Sequence, residues 1–415
     1  MPPPAPRLGT VLTAADKAKR DALSNLVDSY VEPYLARNAT CADAVNKLFP
    51  GTFDLGDRGW VQHSDENPPN FRNFRKRGQT KIKWDHLAFR SFDCVDGGLT
   101  AVAGVFERFG YTEQGELRFA EKKVVARWFA PPDEVWAKDA RGEPLFPRLF
   151  VSHVLVSQLS SEAQAVIKKR QAYCEQKDTA ANCCRPDTSP KNEDRALNAV
   201  EIGGLPWWDF DQVINLPSYE QARETFGETL EITPNEYQTL QKESEYAAWT
   251  LVHGHRLNHV AIGVHGLFVD ADVTQTTRRF PDLEHCVSFL DLQMSTGGGG
   301  VVKISPDGLL KQASTVADSN EFTFVCDSPG VDEKQKRQSV PGCYVEFVER
   351  LPVDAQKRAD EKARPQFVPE RERRDGFETQ NADAIFESTF GREQAKKENE
   401  YVVSILPVVM HGYEG

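Results

Sequence analysis

The sequence predicts an α+β fold: two β-α-β-β-β units curled about a pseudo-twofold axis into a half-open barrel around a metal, with further helices at the periphery. Two observations predict it. The order strand, helix, three strands occurs twice, within 84–156 and again within 256–350. The strand-like segments of the two runs also carry ligand-type residues at matching places: His86 in the first strand of one, His259 in the first strand of the other, and Glu346 in the last.

The elements follow in order. Leu23, Leu26, Val27, Tyr30, Val31 and Tyr34 recur at helical spacing and predict an amphipathic helix over 14–37. Residues 50–80 read as loop, with a basic run from Arg72 to Lys81 that is expected to be a solvated face rather than a nucleic-acid patch, since only Phe71 and Phe74 interleave with it. The first unit is a strand at 84–92, a helix at 97–109 stopped by Gly110, strands at 115–120 and 122–130 closed by Pro131-Pro132, and a strand at 148–156. Ser161 and Gln164 are spaced as a capping box for a short helix. Residues 171–198 read as an inserted polar loop, after which Pro206-Trp207-Trp208 returns to the core. Thr233-Pro234-Asn235-Glu236 starts a helix running to His253. The second unit is a strand at 256–265, a helix at 281–294, strands at 301–305 and 309–316 about a Pro306-Asp307-Gly308 turn, and a strand at 342–350. Gly297 to Gly300 lacks the Gly-Lys-Ser/Thr ending of a phosphate loop. An exposed helix is expected over 354–375, then amphipathic order at Asp383 to Glu387, and a charged stretch and apolar run after Gly391. The expected division is 1–80 (N-terminal helix and loop), 81–165 (first unit), 166–205 (insert), 206–350 (helix and second unit) and 351–415 (C-terminal helical segment and tail).

A net charge of −12 argues against nucleic acid or an anionic membrane as the main partner. No apolar run approaches a membrane span, and the start has no secretory-signal pattern. The eight cysteines include no Cys-x-x-Cys pair, which argues against a zinc ribbon; in the polar loop of Cys174, Cys183 and Cys184 reduced intracellular thiols are expected, with a loop disulfide as the alternative. Cys94, Cys286 and Cys343 read as small buried hydrophobes, and Cys174, Cys183 and Cys184 as loop thiols.

Two imidazoles and one carboxylate on separate strands are the ligand set of a non-haem Fe(II) site with open positions. Alternation puts His86, Ala88 and Arg90 on one strand face, and His259, Ala261, Gly263 and His265 on another. Arg90, in an apolar strand on the His86 face, has the planar fork that grips a carboxylate. A structural ion pair is the alternative for it. His153, on the last strand of the first unit, stands open as a fourth ligand, a second-shell group or filler.

The segments Trp84 to Phe92, Phe109-Gly110-Tyr111, Lys122 to Pro132, Glu243 to Thr250, Asn258 to Ala261, Val302 to Leu310, Ser314 to Asp318, Pro341 to Arg350 and Asn381 to Ser388 together resemble one family. This is the 2-oxoadipate dioxygenase/decarboxylase (2-hydroxyglutarate synthase) family, and within it the plant-type FLOURY ENDOSPERM members of plastids. The resemblance covers about 80–392. The family is similar in its metal centre to the vicinal-oxygen-chelate enzymes, where a Glu-x-x-x-Arg strand, like Glu346 to Arg350, supplies the carboxylate. The resemblance implies Fe(II) held by His86, His259 and Glu346, a substrate carboxylate gripped by Arg90, and substrate contacts from His86, Gln380 and Asn381. It implies O2 and a 2-oxo diacid as small-molecule partners, 2-hydroxyglutarate as product of 2-oxoadipate, a role in lysine degradation and a plastid location, otherwise a cytoplasmic one. The 171–198 insert and the 328–339 loop look longer than the family pattern. Two other classes stand beside this reading: a metal-dependent isomerase or lyase on the same fold, and a non-catalytic scaffold. Oligomeric state is not legible in the sequence.

Overall fold

The computed structural model describes residues 12–49, 53–54, 75–76, 82–93, 98–169, 232–254, 256–272, 275–278, 280–297, 300–324, 337–363 and 367–386. The 171–198 insert, the Pro206-Trp207-Trp208 return, most of the basic run and the tail after Gly391 lie outside these residues, as do Cys94, Cys174, Cys183, Cys184 and Cys326.

The chain begins with helices α1 (Ala14–Arg37) and α2 (Ala39–Leu48) and a two-residue strand pair, β1 (Phe53–Asp54) and β2 (Arg75–Lys76). The first unit is β3 (Trp84–Phe92), α3 (Gly98–Glu107), β4 (Thr112–Phe119), β5 (Val124–Ala130) and β6 (Arg148–Val154). Helices α4 (161–169), α5 (Pro234–Glu243) and α6 (Glu245–His253) follow. The second unit is β7 (Leu257–Gly263), the hairpin β8 (Phe268–Asp272) and β9 (Gln275–Arg278), α7 (Leu283–Leu290), β10 (Lys303–Ile304), β11 (Leu310–Ser314), the hairpin β12 (Ser319–Thr323) and β13 (Arg337–Pro341), and β14 (Tyr344–Arg350). Helices α8 (Ala355–Ala363) and α9 (Thr379–Phe386) complete the described chain.

Eight strands form one sheet in the order β10-β11-β14-β7-β3-β6-β5-β4. In each half the last strand returns beside the first and parallel to it, β6 beside β3 and β14 beside β7. The halves meet at an antiparallel β3–β7 seam. This is the doubled β-α-β-β-β pattern, a half-barrel whose end strands β10 and β4 do not pair with each other. Gly110 has φ of +94°, as its place behind α3 requires, and Gly308, with φ of +70°, closes the β10–β11 turn.

Alternation divides the core between the two sheet faces. Leu87, Phe89, Leu149, Val151, Val260, Ile262, Val345 and Phe347 pack outward against α1, α2, α3 and α7. Ala88, Phe92, Phe150 and Val154 face inward, against α5, α6 and α9. Helix α1 ties the two halves together. Arg20 donates to the carbonyls of Trp136 (2.5 Å) and Lys138 (2.9 Å) in the first unit. The Tyr34 hydroxyl, from the same helix, donates to the carbonyl of Tyr344 in the second.

Local boundaries differ from expectation for physical reasons. The helix after residue 160 is capped by Ser160, whose Oγ accepts from Ala163 N (3.2 Å), rather than by Ser161. Among the described residues the exposed helix expected over 354–375 is Ala355–Ala363, and Glu370 and Arg373 instead enter the buried ion network described below. The hairpins β8–β9 and β12–β13 lie in stretches where polar spacing hid the alternation. Cys41 and Cys286 are buried, and Cys343 is half-buried, its thiol donating to the Leu257 carbonyl.

Tyr34→Phe removes a buried hydroxyl that donates to the Tyr344 carbonyl and accepts from Asn38 Nδ2 (3.2 Å), and leaves the apolar contacts of the helix in place. It should cost about 1–3 kcal/mol in urea unfolding. An unchanged midpoint would show that the Tyr34 hydroxyl contributes nothing to holding α1 against the second unit.

Candidate metal centre

The β3–β7 seam is symmetric around the two histidines: His86 lies opposite Ala261, and Ala88 opposite His259. The alanines leave space beside each ring. The register slips once on each strand, between Trp84 and His86 on β3 and between Leu257 and His259 on β7. Asp85 and Asn258 are thus extra residues without cross-strand partners. A bulge frees a residue from the ladder and re-aims its side chain. Each of these two turns onto the histidine that follows it: His86 Nδ1 donates to Asp85 Oδ1 (2.9 Å) and His259 Nδ1 to Asn258 Oδ1 (3.1 Å). With the Nδ1 protons held there, the Nε2 lone pairs point elsewhere.

They point at each other and at Glu346. His86 Nε2 and His259 Nε2 are 3.2 Å apart, and Glu346 Oε2 is 3.6 Å from the first and 3.4 Å from the second. All three residues are buried. Three lone-pair-bearing atoms at such spacing, with the imidazole protons directed away, repel one another unless a cation sits among them. Metal bonds of about 2.0–2.2 Å put neighbouring ligand atoms roughly 3.0–3.5 Å apart, so the donor set fits one. The other carboxylate oxygen, Oε1, accepts from Gln312 Nε2 (2.6 Å). Tyr344 stacks on His259 (4.6 Å between centroids), and Phe377 meets His86 edge-on at 4.9 Å.

Burial opposes charge on His86, but Glu346 and Asp85 hold its imidazole above the ordinary value. Burial and the neighbouring His86 push His259 well below it. Asp85 is opposed by burial too, yet Arg350 and Arg148 keep its carboxyl well below the usual range. Arg350 grips Asp85 with two contacts, Nε–Oδ2 at 2.7 Å and Nη2–Oδ1 at 2.9 Å. Arg148 adds a third at 3.4 Å and reaches Glu370 (3.0 Å) and Asp375 (2.6 Å).

A second buried group, Asp85, His265 and Glu370, also has ligand atoms close together. It is an ion-pair network. Its carboxylates face Arg148 and Arg350, His265 Nε2 donates to Glu370 Oε2 (3.0 Å), and His265 Nδ1 accepts from the Arg350 backbone N–H (3.3 Å). The lone pairs a metal would need already have partners.

Arg90 is buried on the His86 face, its guanidinium carbon 4.4 Å from the Tyr246 ring centroid, 5.1 Å from Trp249 and 5.9 Å from Phe386. The Tyr344 hydroxyl lies beside it. His153 is placed differently. It pairs with Ser91, so it lies on the opposite sheet face from His86, which pairs with Arg148. It is therefore neither a ligand nor in contact with one. The β3–β6 and β7–β14 registers make Phe150 the counterpart of Glu346, so the first unit offers an aromatic ring where the second offers a carboxylate. Gln380 is exposed at the start of α9, away from the ligands' buried setting. Asn381 is buried and donates to Gln312 Oε1 (3.0 Å).

Sequence reasoning missed Asp85, Asn258 and Gln312, and the aromatic bed of Arg90. One signal was available: each ligand histidine is directly preceded by a short polar residue that can accept from it.

The sequence profile of the 2-oxoadipate dioxygenase/decarboxylase family matches residues 61–363. The chain belongs to this family. Its similarity extends beyond the profile. The chloroplastic 2-oxoadipate dioxygenase/decarboxylase of Arabidopsis thaliana is 37% identical over 396 residues, covering 94% of this chain and 91% of the relative. The chloroplastic/amyloplastic protein of that name from Oryza sativa subsp. japonica is 38% identical over 317 residues, 74% of this chain and 69% of the relative. A crystal structure of hydroxyglutarate synthase in complex with 2-oxoadipate from Oryza sativa superposes with a TM-score of 0.60 at 32% identity, covering 95% of this chain and 98% of that one. No described helix is long and apolar enough to cross a membrane.

The Arg350–Asp85 pair makes a stability prediction. Asp85 and Glu370 titrate below their ordinary values of 3.8 and 4.5 in the folded state. Their contribution is therefore fully present above those values and is lost as pH falls below them toward the depressed folded values. Arg350→Met leaves Asp85 buried without its main cation and should cost about 3–5 kcal/mol in urea unfolding at neutral pH. Its stability should also fall less steeply in acid than that of the wild type. A variant as stable as the wild type, with the same acid slope, would show that the pair contributes nothing.

Proposed function

We propose that this chain is an Fe(II)-dependent 2-oxoadipate dioxygenase/decarboxylase of plastids, converting 2-oxoadipate and O2 to 2-hydroxyglutarate and CO2. The atoms balance with no second 2-oxo acid, because the substrate carries its own 2-oxo group. The observation that carries this reading is the convergence of His86 Nε2, His259 Nε2 and Glu346 Oε2 in a dry setting, with both Nδ1 protons committed elsewhere. Three ligands leave positions open on a six-coordinate ion. When bound, Fe(II) would supply those positions and the electrons for O2 chemistry.

The chain's own residues do the rest. Asp85 and Asn258 hold the ligand imidazoles in the metal-binding tautomer. Arg90 holds a substrate carboxylate. Its guanidinium lies against Tyr246 and Trp249, which restrict its plane, and its planar fork suits a two-pronged contact with a carboxylate. Phe377 covers His86 edge-on, and Phe150 packs against Phe377, so that apolar rings exclude water where the second unit has its carboxylate. The plastid location rests on the relatives' names.

Two experiments test this. With Fe(II)-loaded protein, one O2 should be consumed per CO2 released from 2-oxoadipate, and 18O2 should label the carboxylate formed by decarboxylation. Turnover without O2, or product with no label there, would favour an isomerase or lyase. Arg90→Lys keeps the charge but loses the fork, so kcat/KM for 2-oxoadipate should drop at least about tenfold, or about 1.4 kcal/mol. An unchanged value would make Arg90 a structural residue.

A further inference from the structure

We propose that Gln312 and Asn381 are positioning residues that fix Glu346 as a one-oxygen ligand, and so keep the remaining metal positions open for substrate. The proposal rests on the metal reading above and adds to it how that geometry is held.

Glu346 presents Oε2 to the two histidines, at 3.6 and 3.4 Å. A carboxylate with nothing on its second oxygen can swing and chelate with both, which would occupy a position that a two-point substrate needs. Here Oε1 is held by Gln312 Nε2 at 2.6 Å. Gln312 lies opposite Val348 on the neighbouring strand, and Ser314 lies opposite Glu346. Gln312 thus reaches Glu346 along the diagonal, within range of a long side chain.

An amide can turn either end toward a neighbour, and only its NH2 end donates. Asn381 decides which. Its Nδ2 donates to Gln312 Oε1 at 3.0 Å, which directs the Gln312 NH2 group at the carboxylate. Gln312 and Asn381 are both buried, 3% and 2% exposed, so water does not substitute for either contact. The chain Asn381 → Gln312 → Glu346 has one direction and links helix α9 to the metal ligand. Asn381 accordingly acts through Gln312.

The test is anaerobic titration of the metal-free full-length chain with Co(II) and with Fe(II), read as affinity and as the visible spectrum of bound Co(II). Gln312→Met keeps the volume and loses both hydrogen bonds. It should bind roughly ten- to a hundredfold more weakly, and its Co(II) spectrum should change as Glu346 gains a second contact. Asn381→Asp leaves Gln312 in place but offers it an acceptor, which turns the amide round. It should reproduce both changes, and the double variant should be no weaker than Gln312→Met alone. Asn381→Leu, uncharged, should show the same spectral change in smaller degree if the aspartate variant does not fold. Thermal unfolding of the metal-free variants separates these effects from a loss of fold. Wild-type affinity and spectrum in Gln312→Met would overturn the proposal while leaving the metal site standing. A changed Gln312→Met beside Asn381 variants that match the wild type would remove Asn381 from it. A wild-type chain that binds neither metal would remove the metal reading and the relay together.

Discussion

The paired register slips at the β3–β7 seam are the constraint on which the centre depends. A regular antiparallel pair would place Asp85 and Asn258 in the ladder, facing away from their own histidines. One extra residue on each strand frees both, and each returns its oxygen to the adjacent Nδ1. The tautomer of both rings is thereby fixed by local backbone geometry. Because the slips are symmetric, the two Nε2 atoms are brought within 3.2 Å by the fold itself.

That arrangement is costly, and the surrounding packing offsets the cost. A buried Asp85 needs cations, and it receives Arg148 from the last strand of one unit and Arg350 from the last strand of the other. Arg350 also donates to the carbonyls of Arg374 and Gly376, so the C-terminal segment is bound into the same network. On the opposite face, α1 touches both units through Arg20 and Tyr34. The two halves are thus held across the seam from both sides, and the two candidate ligand histidines lie on that seam.

Much of this was legible in the sequence. The doubled strand order was readable because most of its strands are short, largely apolar segments bounded by turn or helix signals, and the candidate ligands stand out as polar interruptions in them. His86, His259 and Glu346 converge for that reason. His153 looked equivalent by strand position, but one residue of register put it on the other face, a parity that sequence spacing alone does not fix. Bulges were invisible because a slip of one residue leaves no compositional mark. The Gln312 contact was hidden because it crosses strands on a diagonal. Gln380 and Asn381 were assigned together, and helix geometry separates them, turning one outward and one into the core.

The most direct test of the account is a crystal structure of the chain loaded anaerobically with Fe(II), with diffraction measured at the iron edge. The account predicts one anomalous peak, bonded to His86 Nε2, His259 Nε2 and Glu346 Oε2, and none among Asp85, His265 and Glu370. A peak in that second group, or no peak at the first, would contradict it.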